Sequence, residues 1–199
     1  MESLENHLID TENGIIKLLD PPFNKTKLEP GYIKAYLPGV RENGGQYTHA
    51  AMWAIIAFTK LGFGDKAVEY YRMVNPIEHS RTKESAKKYK VEPYVIAADV
   101  YGANNLQGRG GWTWYTGSSS WFCKAGLEDI LGLNITNEVL KINPCISSKW
   151  SEYSIRYRYK SSVYNITVKN PKGRCTRRRP KILFKWARGK RKRSKIRRQ

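Results

Sequence analysis

The sequence of 199 residues lacks the features that define several whole classes of protein. Three cysteines (Cys123, Cys145 and Cys175) and three scattered histidines form neither a metal-binding spacing nor an even set of disulfides. No apolar run approaches the ~20 residues that a membrane-spanning helix requires. The first residues, MESLENHLIDTENG, are acidic and polar, which is not typical of a signal peptide. We therefore expect a cytoplasmic protein without a transmembrane segment.

Acidic residues are absent from one end of the chain. Residues 172–199 contain 15 Lys and Arg and no Asp or Glu, and they account for most of the formal charge of +19. Residues 1–171 have a net charge of only +4. The basic stretch could be a tail that binds nucleic acid or anionic lipid, a solvated tail without a role, or an out-of-frame translation. We expect residues 172–199 to be disordered or out of frame, and nucleic acid is not an expected partner of the rest of the chain.

Hydrophobic periodicity predicts a mainly α fold over residues 1–132. An apolar helix begins at Thr48 and ends at Gly62 and Gly64, and a second helix covers residues 65–75. The polar stretch 77–91 is interpreted as a connection, and a third helix is predicted to start near Pro93. A fourth helix is predicted over about 118–131, and the long Gly- and Pro-rich loop over 23–46 is expected to be ordered.

A small antiparallel β segment is predicted over residues 133–171. One strand is predicted over 135–142. Polar and apolar residues then alternate over 153–160 and again over 164–169, which indicates a hairpin with its turn near Ser161 and Ser162. So small a sheet must pack on the helices to be stable.

The segment RENGGQYTHAA, residues 41–51, is the first candidate for chemistry. Its two glycines allow a ligand to approach the backbone closely, and His49 lies at a helix start, where anions are favoured. A capping histidine beside a glycine turn is the alternative explanation.

The segment GRGGWTWYTGSSSW, residues 108–121, is the second candidate. Thr116 and Gly117 precede a helix whose free N–H groups would suit a phosphate. The aromatic residues Trp112, Trp114, Tyr115 and Trp121 would suit a sugar ring. An aromatic part of the core with Ser and Thr caps is the alternative.

The third candidate is a pair of carboxylates, Glu92 and Asp99. On the predicted third helix they would share a face, about 10 Å apart. A buried helix with a capping glutamate is the favoured interpretation of this segment.

Four stretches together resemble a known enzyme family: PPFN, EPGYIKAYLPGVRENGGQYTHAA, YKVEPYVIAADVY and GRGGWTWYTGS. Over about residues 10–170 the chain resembles the C-terminal part of the glycoside hydrolase family 94 phosphorylases. Within this family it is most similar to the phosphorylase-like domain of cyclic β-1,2-glucan synthetase. The resemblance implies part of an (α/α)6 barrel, with about four core helices, followed by a β segment.

The resemblance also implies inverting phosphorolysis of a β-glucan, or synthesis through a sugar 1-phosphate. Inorganic phosphate is then a co-substrate, a β-glucan oligosaccharide is the partner, and no cofactor or metal is needed. Inversion requires an acid at the leaving oxygen and a nucleophile on the opposite face of the sugar.

The implied site residues follow from the matching motifs. By the resemblance, His49 and Thr116 contact phosphate and Gly117 supplies a backbone N–H. Glu42 and Arg41 match sugar-binding positions, and Trp112 and Trp114 would line the sugar pocket.

The family's catalytic Asp lies upstream of these motifs. We therefore expect a fragment that is inactive alone and that needs the missing half of the enzyme as a partner. A non-catalytic carbohydrate- or anion-binding module with a basic tail is the alternative function.

Overall fold

A computed structural model describes residues 1–114, 116–137, 139–173 and 181–187, without the side chains of residues 116 and 181–187. The rest of the predicted tail lies outside the described residues. The chain divides into two compact units. The first unit consists of Met1–Ala57 and Glu69–Lys124, and the second of Phe58–Val68 and Ala125–Gln199.

The described residues include six α-helices. These are α1 (Glu2–His7), α2 (Thr48–Lys60), α3 (Gly64–Met73), α4 (Pro76–His79), α5 (Lys83–Tyr89) and α6 (Thr116–Lys124). A short 3-10 helix covers Gly31–Ala35, and a π-helix over Ala125–Ile130 directly continues α6. The arrangement of these helices as part of an (α/α)6 barrel stays a prediction.

The first two predicted helices are confirmed. In α2 the side chains of Met52, Ile55 and Phe58 are fully buried, as expected for a helix that is apolar almost all round. The chain leaves α2 through Gly62 at a φ of +85°, a conformation that glycine adopts without strain, and α3 then begins. The fourth predicted helix corresponds to α6 and its π-helical continuation.

The prediction of a third helix from Pro93 is wrong. Residues 92–98 contain no helix, and the segment ends in a strand, β4 (Asp99–Val100). Pro93 suits a turn as well as a first helical turn, and the following residues pair with chain that is distant in sequence. The helix lies instead in the stretch interpreted as a connection, where α5 starts with a capping box between Thr82 and Ser85.

The strands within the described ranges form four small antiparallel sheets. The three pairs are β1 (Ile9–Asp10) with β2 (Ile15–Ile16), β3 (Gln46–Tyr47) with β4, and β5 (Leu133–Thr136) with β6 (Val139–Ile142). The fourth sheet has the order β7 (Glu152–Tyr159), β8 (Ser162–Lys169), β9 (Lys181–Ala187). The single strand predicted over 135–142 is therefore wrong, because the chain reverses between Thr136 and Val139 to form a hairpin.

The predicted hairpin of alternating residues is confirmed, and a third strand extends it. β7 and β8 pair from Glu152↔Lys169 to Tyr159↔Ser162. Residues 181–187, which belong to the predicted tail, form β9, and its register sets Ile182, Phe184 and Trp186 opposite Val168, Ile166 and Tyr164. This part of the tail therefore differs from the expected disorder. Whether the tail is in frame stays a prediction.

A small core fixes the centre of the first unit. Ile15, Tyr89, Ala97 and Val100 are each at most 2% exposed and pack together. Val100 belongs to β4, so this core holds the strand pair from which the candidate site is built. None of the helices in the described part of the chain is both long and apolar enough to span a bilayer.

Candidate functional site

The loop that carries Arg41 and Glu42 is fixed by a buried asparagine. The Asn43 side chain is fully buried, accepts a hydrogen bond from the Phe23 N–H (2.7 Å) and donates one to the Tyr36 carbonyl (2.8 Å). The Gly39 N–H donates to the Asn43 carbonyl at 2.7 Å. These hydrogen bonds tie Asn43 to three other points of the long loop. That the whole loop is ordered stays a prediction.

The strand pair β3–β4 connects this loop to the start of α2. Gln46 pairs with Val100 and Tyr47 with Asp99, and the Thr48 N–H donates to the Ala98 carbonyl at 2.9 Å. His49 follows directly in the first turn of α2. The β3–β4 pairing joins residues about 50 positions apart in sequence, and it thus places His49 and Asp99 on neighbouring segments.

Asp99 holds the Trp112 segment through several hydrogen bonds. Its Oδ1 accepts from the Trp112 N–H at 2.8 Å, its carbonyl accepts from the Gly111 N–H at 2.8 Å, and the Ala98 N–H donates to the Trp112 carbonyl at 2.6 Å. A Cβ atom on Gly111 would lie 2.5 Å from Asp99 Oδ1. Only glycine allows this close approach at position 111.

Arg41 stacks between two aromatic rings. Its guanidinium carbon lies 5.0 Å from the Trp112 ring centre and 5.5 Å from that of Tyr36. Burial works against the charged form, but a hydrogen bond with Tyr36 and the charge of Asp99 raise the pKa of Arg41 overall. Arg41 has a φ of +48°, which is uncommon for a residue other than glycine. The structure thus brings together Arg41 and Trp112, two of the predicted sugar-binding residues.

The carboxyl groups beside Arg41 have oxygen atoms without partners. Asp99 is 1% exposed, and its Oδ2 has no hydrogen-bond partner. Glu42 Oε2 is also buried without a partner. Burial raises the pKa of Asp99, the Trp112 N–H and the charge of Arg41 partly offset this, and the charge of Glu42 raises it further.

His49 lies in a cluster of aromatic rings. Its ring centre is 4.8 Å from that of Trp53, 5.3 Å from that of Trp121 and 6.4 Å from that of Tyr47. Trp53 and Trp121 contact each other edge to face at 5.7 Å. The Nε2 atom of His49 is buried and has no hydrogen-bond partner. A ring nitrogen in this state has hydrogen-bonding capacity that no described residue uses.

The same cluster joins the two helix starts that were predicted to bind phosphate. Trp53 lies four residues after His49 on α2, and Trp121 lies four residues after Gly117 on α6. Helix α6 begins at Thr116, whose side chain is outside the described residues. A Cβ atom on Gly117 would meet nothing within 4 Å, so the backbone there faces open space.

Trp114 and Glu92 lie together in the structure. This differs from the helical pairing of Glu92 with Asp99 that the sequence predicts. The Trp114 Nε1–H donates to Glu92 Oε1 at 3.4 Å, and the indole is 67% exposed. Asp99 lies on β4 and not on a helix, so the predicted helical face shared by Glu92 and Asp99 does not exist.

Sequence reasoning missed the residues whose role depends on contacts between distant segments. Asn43, Gln46 and Gly111 carry the local geometry of the site, yet the sequence offers only the glycines of segments 41–51 and 108–121 as a signal and not the roles of Asn43 and Gln46. Trp53 was assigned to a buried helix, although 55% of its surface is exposed beside His49. No group of three or more potential metal ligands among His, Cys, Asp and Glu occurs in the part of the chain that the structure describes.

Comparison with known proteins finds relatives that are named as carbohydrate-active enzymes. It is 48% identical over 168 residues to the cyclic beta-(1,2)-glucan synthase NdvB of Rhizobium meliloti, covering 84% of this chain and 6% of that protein. It is 32% identical to the N,N'-diacetylchitobiose phosphorylase of Vibrio furnissii over 154 residues, 77% of this chain and 19% of that enzyme. The Vibrio proteolyticus enzyme of the same name is 31% identical over 172 residues, 86% of this chain and 21% of the enzyme.

The chain thus spans a fifth or less of the length of the first two of these relatives and about a fifth of the third. Residues 1–132, which carry every candidate site residue, match the family model described as "Glycosyl hydrolase 94 superfamily, catalytic domain". The motifs that suggested the resemblance and the family match therefore agree, and the chain belongs to the glycosyl hydrolase 94 superfamily.

Proposed function

We propose that this chain supplies the phosphate- and sugar-binding side of an inverting phosphorylase or glycosyltransferase that acts on β-glucans through a sugar 1-phosphate. The observation that carries the proposal is the buried, unpartnered Nε2 of His49 at the start of α2, with its ring against Trp121 of α6. Helix N-termini favour anions through their free N–H groups and their partial positive charge. In this proposal His49, Thr116 and the backbone N–H of Gly117 bind inorganic phosphate.

The sugar is proposed to lie beside Arg41, Glu42, Trp112 and Trp114. Trp112 and Trp114 are 49% and 67% exposed, which is unusual for indoles, so part of each ring is accessible to a sugar. Carboxylate oxygens accept hydrogen bonds from sugar hydroxyls, and the guanidinium of Arg41 can donate them. The β-1,2 linkage is proposed because the glucan synthase, 48% identical, is named for that linkage.

In the proposed reaction a phosphate oxygen attacks the anomeric carbon as the glycosidic C–O bond breaks. A new C–O bond forms with inversion, and a general acid gives its proton to the leaving oxygen. The proposed role of His49, Thr116 and Gly117 is to hold the phosphate anion next to the reacting carbon against the negative charge of nearby carboxylates. No residue of the chain is proposed as the general acid, so we expect the 199 residues to bind ligands without turnover, with the rest of the enzyme as the proposed partner.

Phosphate binding can be measured directly by ³¹P NMR titration of the 199-residue protein. We expect His49→Gln to weaken binding by about tenfold, the loss of one charge-assisted hydrogen bond. His7→Gln, an exposed histidine of α1, is the matched control and should leave binding unchanged. Equal phosphate affinity in all three proteins would contradict the proposed phosphate site.

Turnover is tested by measuring sugar 1-phosphate formation from β-1,2-glucan and phosphate. The isolated chain should give none. Formation of sugar 1-phosphate by the chain alone would overturn the proposal that the general acid is supplied from outside these residues.

A non-catalytic carbohydrate-binding module is the second candidate function. The strong exposure of Trp114 and of Tyr94, which is 72% exposed, favours it. Such a module would bind β-glucan oligosaccharides but would have no phosphate site at His49. Sugar binding together with no detectable phosphate binding would therefore favour the module over the phosphorylase.

A further inference from the structure

The positive charge of the chain begins inside a folded sheet. Glu152 is the last acidic residue of the sequence, and residues 153–199 contain 19 Lys and Arg. Residues 1–152 contain 17 Lys and Arg and 17 Asp and Glu, so they carry no net charge. The boundary between the two regions coincides with the start of β7 at Glu152. The basic region therefore includes the β7–β8–β9 sheet as well as the tail.

This sheet has one face that is more buried and one that is more exposed. Ile166 and Val168 of β8 are fully buried, and the pairing sets them opposite Ile155 and Tyr153 of β7. Successive residues of a strand face opposite sides of a sheet, so the remaining positions of β7 lie on the other face. All four are exposed: Glu152, Ser154, Arg156 and Arg158.

The neighbouring strand continues the exposed face with cationic and polar residues. Asn165 lies opposite Arg156, Lys169 lies opposite Glu152, and both β8 residues are exposed. The hydroxyl of Thr167 lies 3.2 Å from that of Ser154. We name this surface the basic sheet face and define it by six residues: Ser154, Arg156, Arg158, Asn165, Thr167 and Lys169.

The positive charges of the basic sheet face are not balanced within the described part of the chain. No described residue forms an ion pair with Arg156, Arg158 or Lys169. The register of β9 sets Lys181 directly opposite Lys169 and Lys185 in the same row as Arg156. Like charges at opposed positions of a sheet repel each other, and an anionic partner would remove this repulsion.

The residue types of this face match those that bind phosphate groups. Arginine binds phosphate through two parallel N–H groups, lysine binds it as a point charge, and Ser, Thr and Asn contact backbone phosphates of nucleic acids. Arg156 and Arg158 lie two residues apart, about 7 Å along the strand, so each can contact a different phosphate.

The face lacks the aromatic side chains that other anionic polymers and surfaces would use. The β7 aromatic residues, Tyr153, Tyr157 and Tyr159, all lie on the opposite face. Proteins bind single-stranded nucleic acids by stacking bases on aromatic rings, and interfacial membrane binding adds inserted apolar and aromatic groups to the charge. A described surface of cations and small polar groups therefore favours the phosphate backbone of a duplex.

We propose that the basic sheet face binds the backbone of double-stranded nucleic acid without reading its sequence, with Arg156, Arg158 and Lys169 as phosphate contacts. This inference goes beyond the proposed function. The face lies in the second unit, outside residues 1–132 that match the family model. From the sequence we expected nucleic acid only at residues 172–199, whereas the register extends the basic surface into β7 and β8.

The test is fluorescence anisotropy of a short labelled DNA duplex of mixed sequence, titrated with the 199-residue protein between about 50 and 200 mM salt. Each phosphate contact contributes about 0.9 to the slope of log affinity against log salt concentration. The double variant Arg156→Gln with Arg158→Gln should therefore make the slope shallower by about 1.8 and weaken binding about tenfold.

The double variant Lys83→Gln with Lys87→Gln is the matched control. It removes the same charge from two exposed positions of α5 in the first unit, and both the slope and the affinity should stay close to those of the wild type. Lys169→Gln, on the neighbouring strand, should make the slope shallower by about 0.9. It takes the place of the arginine variant if circular dichroism shows that variant to be unfolded.

Each outcome either supports or overturns the inference. Loss of affinity and slope in the sheet variants, but not in the α5 control, supports it. Absence of duplex binding by the wild type overturns it, as does a slope that neither Lys169→Gln nor the arginine variant changes. Binding to phosphatidylserine vesicles that the arginine variant abolishes, with duplex binding unchanged, would assign the face to membranes and overturn it as well. Phosphate binding at His49 is measured separately, so either proposal can fail alone.

Discussion

The two compact units differ in whether their buried side-chain polar atoms have hydrogen-bond partners. Among the side chains that the structure describes in the first unit, five buried atoms have no hydrogen-bond partner: Glu42 Oε2, His49 Nε2, His79 Nε2, Ser80 Oγ and Asp99 Oδ2. Among the described residues of the second unit there is no such atom. There the buried Asp129 pairs with Lys60 at 2.8 Å, and Asp65 Oδ1 accepts from the Ser147 hydroxyl at 2.6 Å and from the Ser148 N–H at 2.7 Å.

The difference matters for the proposed binding role of the first unit. A buried polar group without a partner costs about 1–3 kcal/mol, so a fold retains such groups only where something offsets the cost. Three of the five atoms belong to residues of the candidate site. The other two belong to His79 and Ser80, which lie outside the site. Measurements on these residues therefore distinguish a functional reason for unpartnered buried atoms from a consequence of packing alone.

The largest expected effect comes from filling the space beside Asp99. Gly111→Ala would set a Cβ atom 2.5 Å from Asp99 Oδ1, so the carboxylate must move and lose the Trp112 N–H. We expect a loss of about 3 kcal/mol in the free energy of unfolding, measured in urea. Gly117→Ala is the control for stability, since its Cβ atom would meet nothing within 4 Å, and it should change stability by less than about 1 kcal/mol. Equal stability of the two variants would show that the Asp99 contact is not tight.

The second prediction concerns the pH dependence that His79 gives to the first unit. Burial, and to a lesser degree the charge of Lys88, lowers the pKa of His79 to about 4, and its ring stacks on Tyr89 at 4.8 Å. Below the ordinary histidine pKa of about 6.5 the unfolded chain therefore takes up a proton that the folded chain does not. Stability is lost as the pH falls from about 6.5 towards about 4, by about 2 kcal/mol between pH 7 and pH 5.

Urea unfolding at pH 7 and pH 5 measures this effect, with His79→Phe as the comparison. Phenylalanine keeps a ring against Tyr89 but cannot titrate, so the variant should lose about 2 kcal/mol less than the wild type between the two pH values. An identical pH dependence in both proteins would mean that His79 titrates normally.

Much of the fold follows from local sequence patterns, whereas the geometry of the site does not. The apolar run from Thr48 and the alternation over 153–169 determine α2 and the β7–β8 hairpin, because each pattern reflects contacts close in sequence. The pattern of residues 92–102 predicts a helix because Pro93 suits a first helical turn. The strand that forms there instead, β4, depends on pairing of Asp99 with Tyr47, 52 positions earlier.

The candidate site shows the same limit. His49 and Gly117 could be identified from their neighbouring glycines and helix starts. That Trp53 and Trp121 would meet between them, or that Asp99 would hold Trp112, depends on distant segments and could not be derived from the sequence.

The third prediction compares one buried carboxylate from each unit directly. Asp99→Asn removes a charge that has an unpartnered oxygen, so it should raise the free energy of unfolding by about 1 kcal/mol. Asp129→Asn breaks a satisfied ion pair with Lys60 and should lower it by about 1–2 kcal/mol. Changes of opposite sign in the free energy of unfolding, measured in urea at pH 7, would support the difference between the two units. Changes of the same sign in both variants would contradict it.

The smallest expected effect concerns the aromatic contact between His49 and Trp121, whose ring centres are 5.3 Å apart. If Trp121 orients the imidazole for phosphate, then Trp121→Leu should weaken phosphate binding about threefold, as the loss of one ring contact would. Trp121→Phe keeps an aromatic ring and should retain most of the affinity. Trp150→Leu, in the second unit, is the control for loss of an indole elsewhere, and ³¹P NMR titration compares all four proteins. Equal losses in Trp121→Leu and Trp121→Phe would assign the effect to indole size, whereas rescue by phenylalanine shows that a ring beside His49 is what binding requires. That result would show that aromatic packing in the first unit contributes to phosphate binding. The buried polar atoms described in the second unit already have partners, so no such contribution is expected there.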